Sequence, residues 1–152
     1  VALAVATFGF DMPAWTQDKP ADNMEILRDK IKADKRLLVA VSMGLTESQA
    51  KGFWPVYNDY QKELGQIHRR IRALLISYAG DYNNQTLTDA KAQKLIDEFV
   101  SIEKAEANLM ASFAPKLNKV LPAKKVARYL QIENKIRSVI NFDIAAQVPL
   151  VQ

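Results

Sequence analysis

Between Phe53 and Tyr78 the residues Phe53, Tyr57, Tyr60, Leu64, Ile67, Ile71, Leu74 and Tyr78 follow one another in unbroken alternating steps of four and three. Steps averaging about 3.5 residues place all of them on one stripe of an α-helix, a seam suited to a partner helix crossing at a shallow angle. A strand cannot bury such a set, because its side chains change face at every residue. Thr46 and Gln49 precede the seam with the spacing of a capping box, in which hydroxyl and amide each engage a backbone donor that the first turn would orphan. A helix from Thr46 to Ala79 is therefore expected, roughly 50 Å long at about 1.5 Å per residue. Pro55 should bend it near its start, since proline lacks an N–H and crowds the carbonyl four residues back.

A single helix with a buried stripe needs others to cover it, and three more are legible. Asp22 or Asn23 can cap a first helix to about Met43, with Met24, Leu27, Ile31, Leu38 and Val41 facing inward and Asp34 as the polar interruption. Gly44 stands where a left-handed C-terminal cap is wanted. Gly80 to Gln85 reads as a turn by composition. Thr86 with Asp89, or Thr88 alone, then caps a third helix bearing Leu95, Phe99, Ile102, Leu109, Phe113, Leu117 and Val120 on one face. Glu106 takes a seam position in it, and Pro115 is a second candidate kink. Leu121-Pro122-Ala123 ends that helix and opens a fourth, with Val126, Tyr129, Leu130, Ile136, Val139 and Ile140 inward. The apolar tail from Ala145 to Gln152 is expected to lie back across the bundle. The expected fold is all-α: four long amphipathic helices in an antiparallel hairpin or bundle, forming a single domain over residues 23–152.

The first 22 residues are set apart. Val1 to Phe10 is an apolar run too short for a membrane-spanning helix, which needs about 20 residues. It fits the apolar core of a secretory signal peptide, and Ala14-Trp15-Thr16 offers small residues at the −3 and −1 positions for cleavage after Thr16. On that reading the sequence begins inside the peptide and the protein is exported to the periplasm. The other reading is an N-terminal arm that packs on the domain or on a second copy.

Chemistry is sparse. With no cysteine there is no disulfide, thiol nucleophile or cysteine-based metal site. The lone His68 lacks the Glu-x-x-His pairing of a di-iron bundle and, beside the seam residue Ile67, reads as a surface or boundary residue; the functional alternative is a pH-sensitive contact. Glu106 and Glu133 lie at or beside apolar faces, where paired carboxylates can do acid–base work. A cationic partner is the commoner reason for such residues, and Arg69 and Arg72 are candidates for it. There is no glycine-rich phosphate loop and no nucleophile elbow, so an enzyme is not expected, and no cofactor is implied. The net charge of +4 is interleaved with acidic residues, without the dense basic tract of a nucleic-acid binder. His68-Arg69-Arg70 with Arg72, and Lys116, Lys119, Lys124, Lys125 and Arg128, are spread by helical geometry over several faces. Candidate partner contacts are Arg69, Arg70, Arg72, Lys116 and Lys119, together with Trp54, one step off the seam and available as an exposed anchor.

Leu45-Thr46-Glu47-Ser48-Gln49 resembles the Leu-Thr-x-x-Gln motif of the Spy/CpxP-like group of periplasmic proteins, carried here by Leu45, Thr46 and Gln49. Ala33-Asp34-Lys35 and Phe53-Trp54-Pro55-Val56-Tyr57 are similar to an uncharacterised bacterial branch of it, over roughly residues 24 to 145. The resemblance implies a four-helix hairpin fold, often a cradle-shaped antiparallel dimer, that chaperones clients or restrains envelope-stress sensors. Two features depart from the group. Leu121-Pro122-Ala123-Lys124-Lys125 stands where a second Leu-Thr-x-x-Gln belongs, and the histidine-rich ligand sets of metal-sensing relatives have no match. The expected role is an exported, non-enzymatic protein that binds unfolded clients or a sensor partner through a mixed apolar and basic face. The alternatives are a structural dimer or interaction subunit with one fixed envelope partner, and a small-molecule or lipid carrier that uses a gap between helices.

Overall fold

The computed structural model describes residues 24–151. The segment 1–22, the cap at Asp22 or Asn23 and the side chains of Met24 and Leu27 lie outside the described residues. Four helices follow in order: α1 Met24–Met43, α2 Glu47–Asn83, α3 Asp89–Asn118 and α4 Ala123–Ala145. No strand occurs among the described residues.

Local sequence accounts for most helix ends. Thr46 Oγ1 accepts from the Gln49 N–H at 3.3 Å while Gln49 Oε1 accepts from the Thr46 N–H at 3.1 Å, which completes the expected capping box. Thr88 alone caps α3 by accepting from the Lys91 N–H. Gly44 takes the left-handed conformation, φ 52°, that ends α1. Leu45, Leu87 and Leu121 each precede the cap of a helix; Leu121 is buried in the same apolar cluster as Val126 of the first turn of α4, in the manner of a hydrophobic staple. α2 and α3 run through Pro55 and Pro115, both on exposed sides.

Two helix boundaries differ from the expectation. α2 continues through Gly80 to Asn83, because Tyr82 packs on Tyr78 at 5.8 Å and the Asn84 side chain and N–H both donate to the Gly80 carbonyl. The helix thus ends about one turn later than expected, and the chain reverses at Gln85 with φ 54°. In α1, Asp34 is extended (φ −164°, ψ 102°), and its Oδ1 accepts from the Leu37 N–H at 3.0 Å. One carboxylate thus ends a first helical piece and caps a second. The break resets the helical phase: Leu38, Val39, Ser42 and Met43 are buried, whereas Val41, expected inward, is 54% exposed.

The helices pack up-down-up-down. α3 returns along α2, with Tyr60 against Phe113 at 5.4 Å and Arg70 paired with Glu98 farther along. α4 runs in the same direction as α2, since Phe53 meets Tyr129, Gln61 meets Glu133 and Tyr78 meets Pro149 of the tail. α1 runs against α4, where Arg128 Nε and Lys125 Nζ donate to the carbonyls of Ser42, Met43 and Gly44. Those two cations, read from sequence as part of a basic set spread over several faces, cap the C-terminus of α1, where unpaired carbonyls and the negative end of the helix dipole favour positive charge.

The seam of α2 serves two partners. Phe53 and Tyr57 join Leu38, Val39, Met43, Val126, Tyr129 and Ile136 in a cluster between α1, α2 and α4. Tyr60, Leu64 and Ile67 join Ile102, Leu109 and Phe113 of α3 in a second cluster. Fully burying each aromatic or aliphatic side chain is worth about 1.5–3 kcal/mol. Ile71 and Leu74 are only half-buried, and Phe99 of α3, expected inward, is 55% exposed. The bundle is tight at one end and open at the other.

Candidate binding surface and buried polar network

Four helices meet around Glu133, which is 5% exposed. Lys35 Nζ donates to Glu133 Oε2 at 2.9 Å and to Gln61 Oε1 at 2.8 Å; Gln61 Nε2 and the Tyr129 hydroxyl donate to Glu133 Oε1 at 2.9 and 3.0 Å. Glu106 of α3 is held by Arg137 Nη1 at 3.4 Å, while Arg137 Nη2 donates to Asn134. The partners of the two carboxylates are thus Lys35 and Arg137, not Arg69 and Arg72 as expected from the sequence. Lys35 and Gln61 lie on α1 and α2, and nothing in their local sequence marks them as partners of a carboxylate on α4.

Burial raises the phenols of Tyr57 and Tyr60 to about 12, and the Glu133 carboxylate adds to the shift. The Tyr129 phenol is pushed up further by the same two causes, burial first. These hydroxyls stay protonated and act as donors. A cavity of about 30 Å³ borders Glu106, Glu133, Lys35 and Arg137, room for about one or two waters and no organic substrate. His68 stands at its mouth; desolvation by its neighbours, then the Lys35 ammonium, lowers its pKa below 6.5 and leaves it neutral near pH 7. Among the described residues no group of three or more His, Cys, Asp or Glu could hold a metal ion.

The candidate partner contacts do not converge on one patch. Trp54 is half-buried, its ring 5.0 Å from Phe53 and 5.2 Å from Tyr57, and the Arg36 guanidinium covers it at 4.2 Å. Arg70 is engaged by Glu98 at 2.8 and 3.1 Å and by Ser101 at 2.8 Å. Arg69 is exposed. Lys116 lies over the Phe113 ring at 3.9 Å, and Lys119 is the C-cap of α3. Leu45, Thr46 and Gln49 are occupied in the helix entry described above. Arg72 lines a cleft between α2 and α4 and makes no ion pair among the described residues.

Two surface features at the open end went unread in the sequence. Ile96, Phe99 and Val100 form an uncovered stripe on α3, with exposures of 54%, 55% and 43%. Phe99 lies eleven residues before Met110, about three helical turns, and so shares the side of α3 on which Met110 lines the small cavity against α4. α2 and α4 also border a cleft in two parts of about 220 and 540 Å³, with Leu75, Ile140 and Ile144 lining both.

These features define a four-helix antiparallel bundle with a buried, charge-paired polar network and one open, largely apolar end. Comparison of the chain with family models, with curated proteins and with solved structures returned no match. Among the described residues no helix is long and apolar enough to cross a membrane.

Proposed function

We propose that this protein works by binding other proteins rather than by catalysis, holding apolar segments of unfolded clients or docking on an envelope sensor, in the manner that the resemblance at Leu45, Thr46 and Gln49 implies. The observation that carries this reading is the stripe Ile96, Phe99 and Val100, three large apolar residues at one face of a well-formed helix that the described residues leave about half exposed. Uncovered contiguous apolar side chains on a folded chain mark an interaction site more often than scattered ones do. The polar network supports the reading from the other side: Glu106 and Glu133, the buried carboxylates among the described residues, are each engaged by a cation. A periplasmic setting, implied by the same resemblance and by the apolar run Val1 to Phe10, would expose the protein to such clients.

The test is suppression of light scattering by several chemically denatured clients at equimolar protein. The wild type should suppress it, and the double variant Ile96→Glu, Phe99→Glu should lose most of the effect while keeping its thermal midpoint, because neither side chain is buried in the bundle. No suppression across all clients by the wild type overturns the client-binding form. A single co-purifying protein without client activity would instead identify one fixed partner.

A further inference from the structure

We propose that the cleft between the C-terminal halves of α2 and α4 binds a single-chain amphipathic carboxylate, a long-chain fatty acid by chemical class. This goes beyond the client-binding reading and uses different residues. The smaller part of the cleft, about 220 Å³, carries the polar groups: Arg72, Arg137, His68 and Asn141, with the one acid Glu106 already held by Arg137. Its balance is one positive charge over the acid, since His68 is neutral near pH 7. Arg72 has no ion pair among the described residues, and the Arg137 to Glu106 contact is long at 3.4 Å, so both guanidinium groups have donors to give. A carboxylate matches a guanidinium fork with two parallel hydrogen bonds.

The larger part, about 540 Å³, leads away between Leu75, Tyr78, Ala79, Ile144, Val148 and Pro149. No lysine or arginine lines it; its one charged residue is Asp143, and its other polar groups are Asn83, Gln147 and the hydroxyls of Tyr78 and Tyr82. Cations at one end and an aliphatic wall beyond them fit an anionic head on an alkyl tail, and each methylene buried adds to affinity. An extended peptide fits less well, because its backbone N–H and C=O groups recur at every residue and the aliphatic stretches of wall between the polar side chains offer them no partners.

The experiment is calorimetric titration of the full chain with dodecanoate, and separately with dodecyltrimethylammonium, below their micelle concentrations. Dodecanoate should bind saturably, one molecule per chain, at least about tenfold tighter than the cationic probe. Arg72→Gln should weaken dodecanoate by about fivefold or more and leave the cationic probe unchanged. Ala79→Trp should block both by filling the channel. Both substitutions fall at exposed positions, so circular dichroism should report an unchanged fold. Ile96→Glu, Phe99→Glu should bind dodecanoate as the wild type does, which separates failure here from failure of client binding. Absent saturation, equal affinity for the two probes, or an Arg72→Gln variant that binds like the wild type overturns the proposal. Displacement of dodecanoate by an apolar peptide, with no effect of Arg72→Gln on that peptide, also overturns it and assigns the cleft to protein clients.

Discussion

Glu133 and Lys35 illustrate how much one side chain can decide. The carboxylate is 5% exposed and the ammonium side chain 24%, so the two partners do not lose equal hydration on folding. Removing Lys35 strands a buried charge with only the neutral donors Gln61 and Tyr129, whereas removing Glu133 leaves a lysine whose head can turn toward water. Lys35→Met should therefore cost about 2–4 kcal/mol, and Glu133→Leu less, about 1–2 kcal/mol. The double variant should fall near the wild type, because a well-packed apolar pair replaces a pair that was expensive to desolvate. Urea midpoints of the four proteins check this; additive losses would show that the two groups do not act as a pair. Ser42 makes the complementary point: it is fully buried and its Oγ has no hydrogen-bond partner among the described residues, a local cost that α1 bears.

At the scale of helices, the entries were legible and the interruptions less so. Thr46, Gln49, Thr88 and Gly44 act within four residues of themselves, and the structure uses each as the spacing predicts. Asp34 was visible as a polar interruption but not as a break, because a carboxylate can cap a new helix or simply face solvent. Its extended backbone is what turns Val39 and Ser42 inward and Val41 outward. The reach of α2 past Gly80 depends on Tyr82 meeting Tyr78, which outweighs the weak helical preference of glycine. Glycines within α2 also differ by what stands opposite. A Cβ on Gly52 would lie 2.9 Å from Val120 Cβ, close to the backbone of the α3–α4 connection, whereas one on Gly65 meets nothing within 4 Å. Gly52→Ala should thus lose about 1–3 kcal/mol. Gly65→Ala should gain about 0.5–1 kcal/mol from reduced chain entropy. Thermal midpoints of the two variants should move in opposite directions.

For the molecule as a whole, three tyrosines sit where the two apolar clusters adjoin. Tyr57 and Tyr129 belong to one and Tyr60 to the other, and Tyr129 touches both of the others at 6.1 and 6.2 Å. Tyr57 and Tyr60 hold their protons to about 12 in the fold, against an ordinary value of 10.0. The folded state binds these protons more tightly, so their contribution to stability is complete below pH 10 and is lost as pH rises toward 12. Urea midpoints should be insensitive to this term at pH 8 and fall steeply between about 10 and 12. Tyr60→Phe should flatten that fall, and an unchanged slope would remove Tyr60 from the account.

The number and order of the helices, the N-terminal caps of α2 and α3, their amphipathic character and the first half of the α2 seam follow from sequence alone, because the interactions behind them close within one or two turns. Tertiary structure decided what each face meets. Whether a seam residue is covered depends on how long two helices stay side by side, so Phe53 and Phe99 have the same periodic credentials and opposite fates. The cation beside each carboxylate was likewise set by distant chain, with Lys35 and Glu133 separated by 98 residues. The open cleft lies between α2 and α4, where Leu75, Ile140 and Ile144 border both of its parts, and no local pattern encodes that gap.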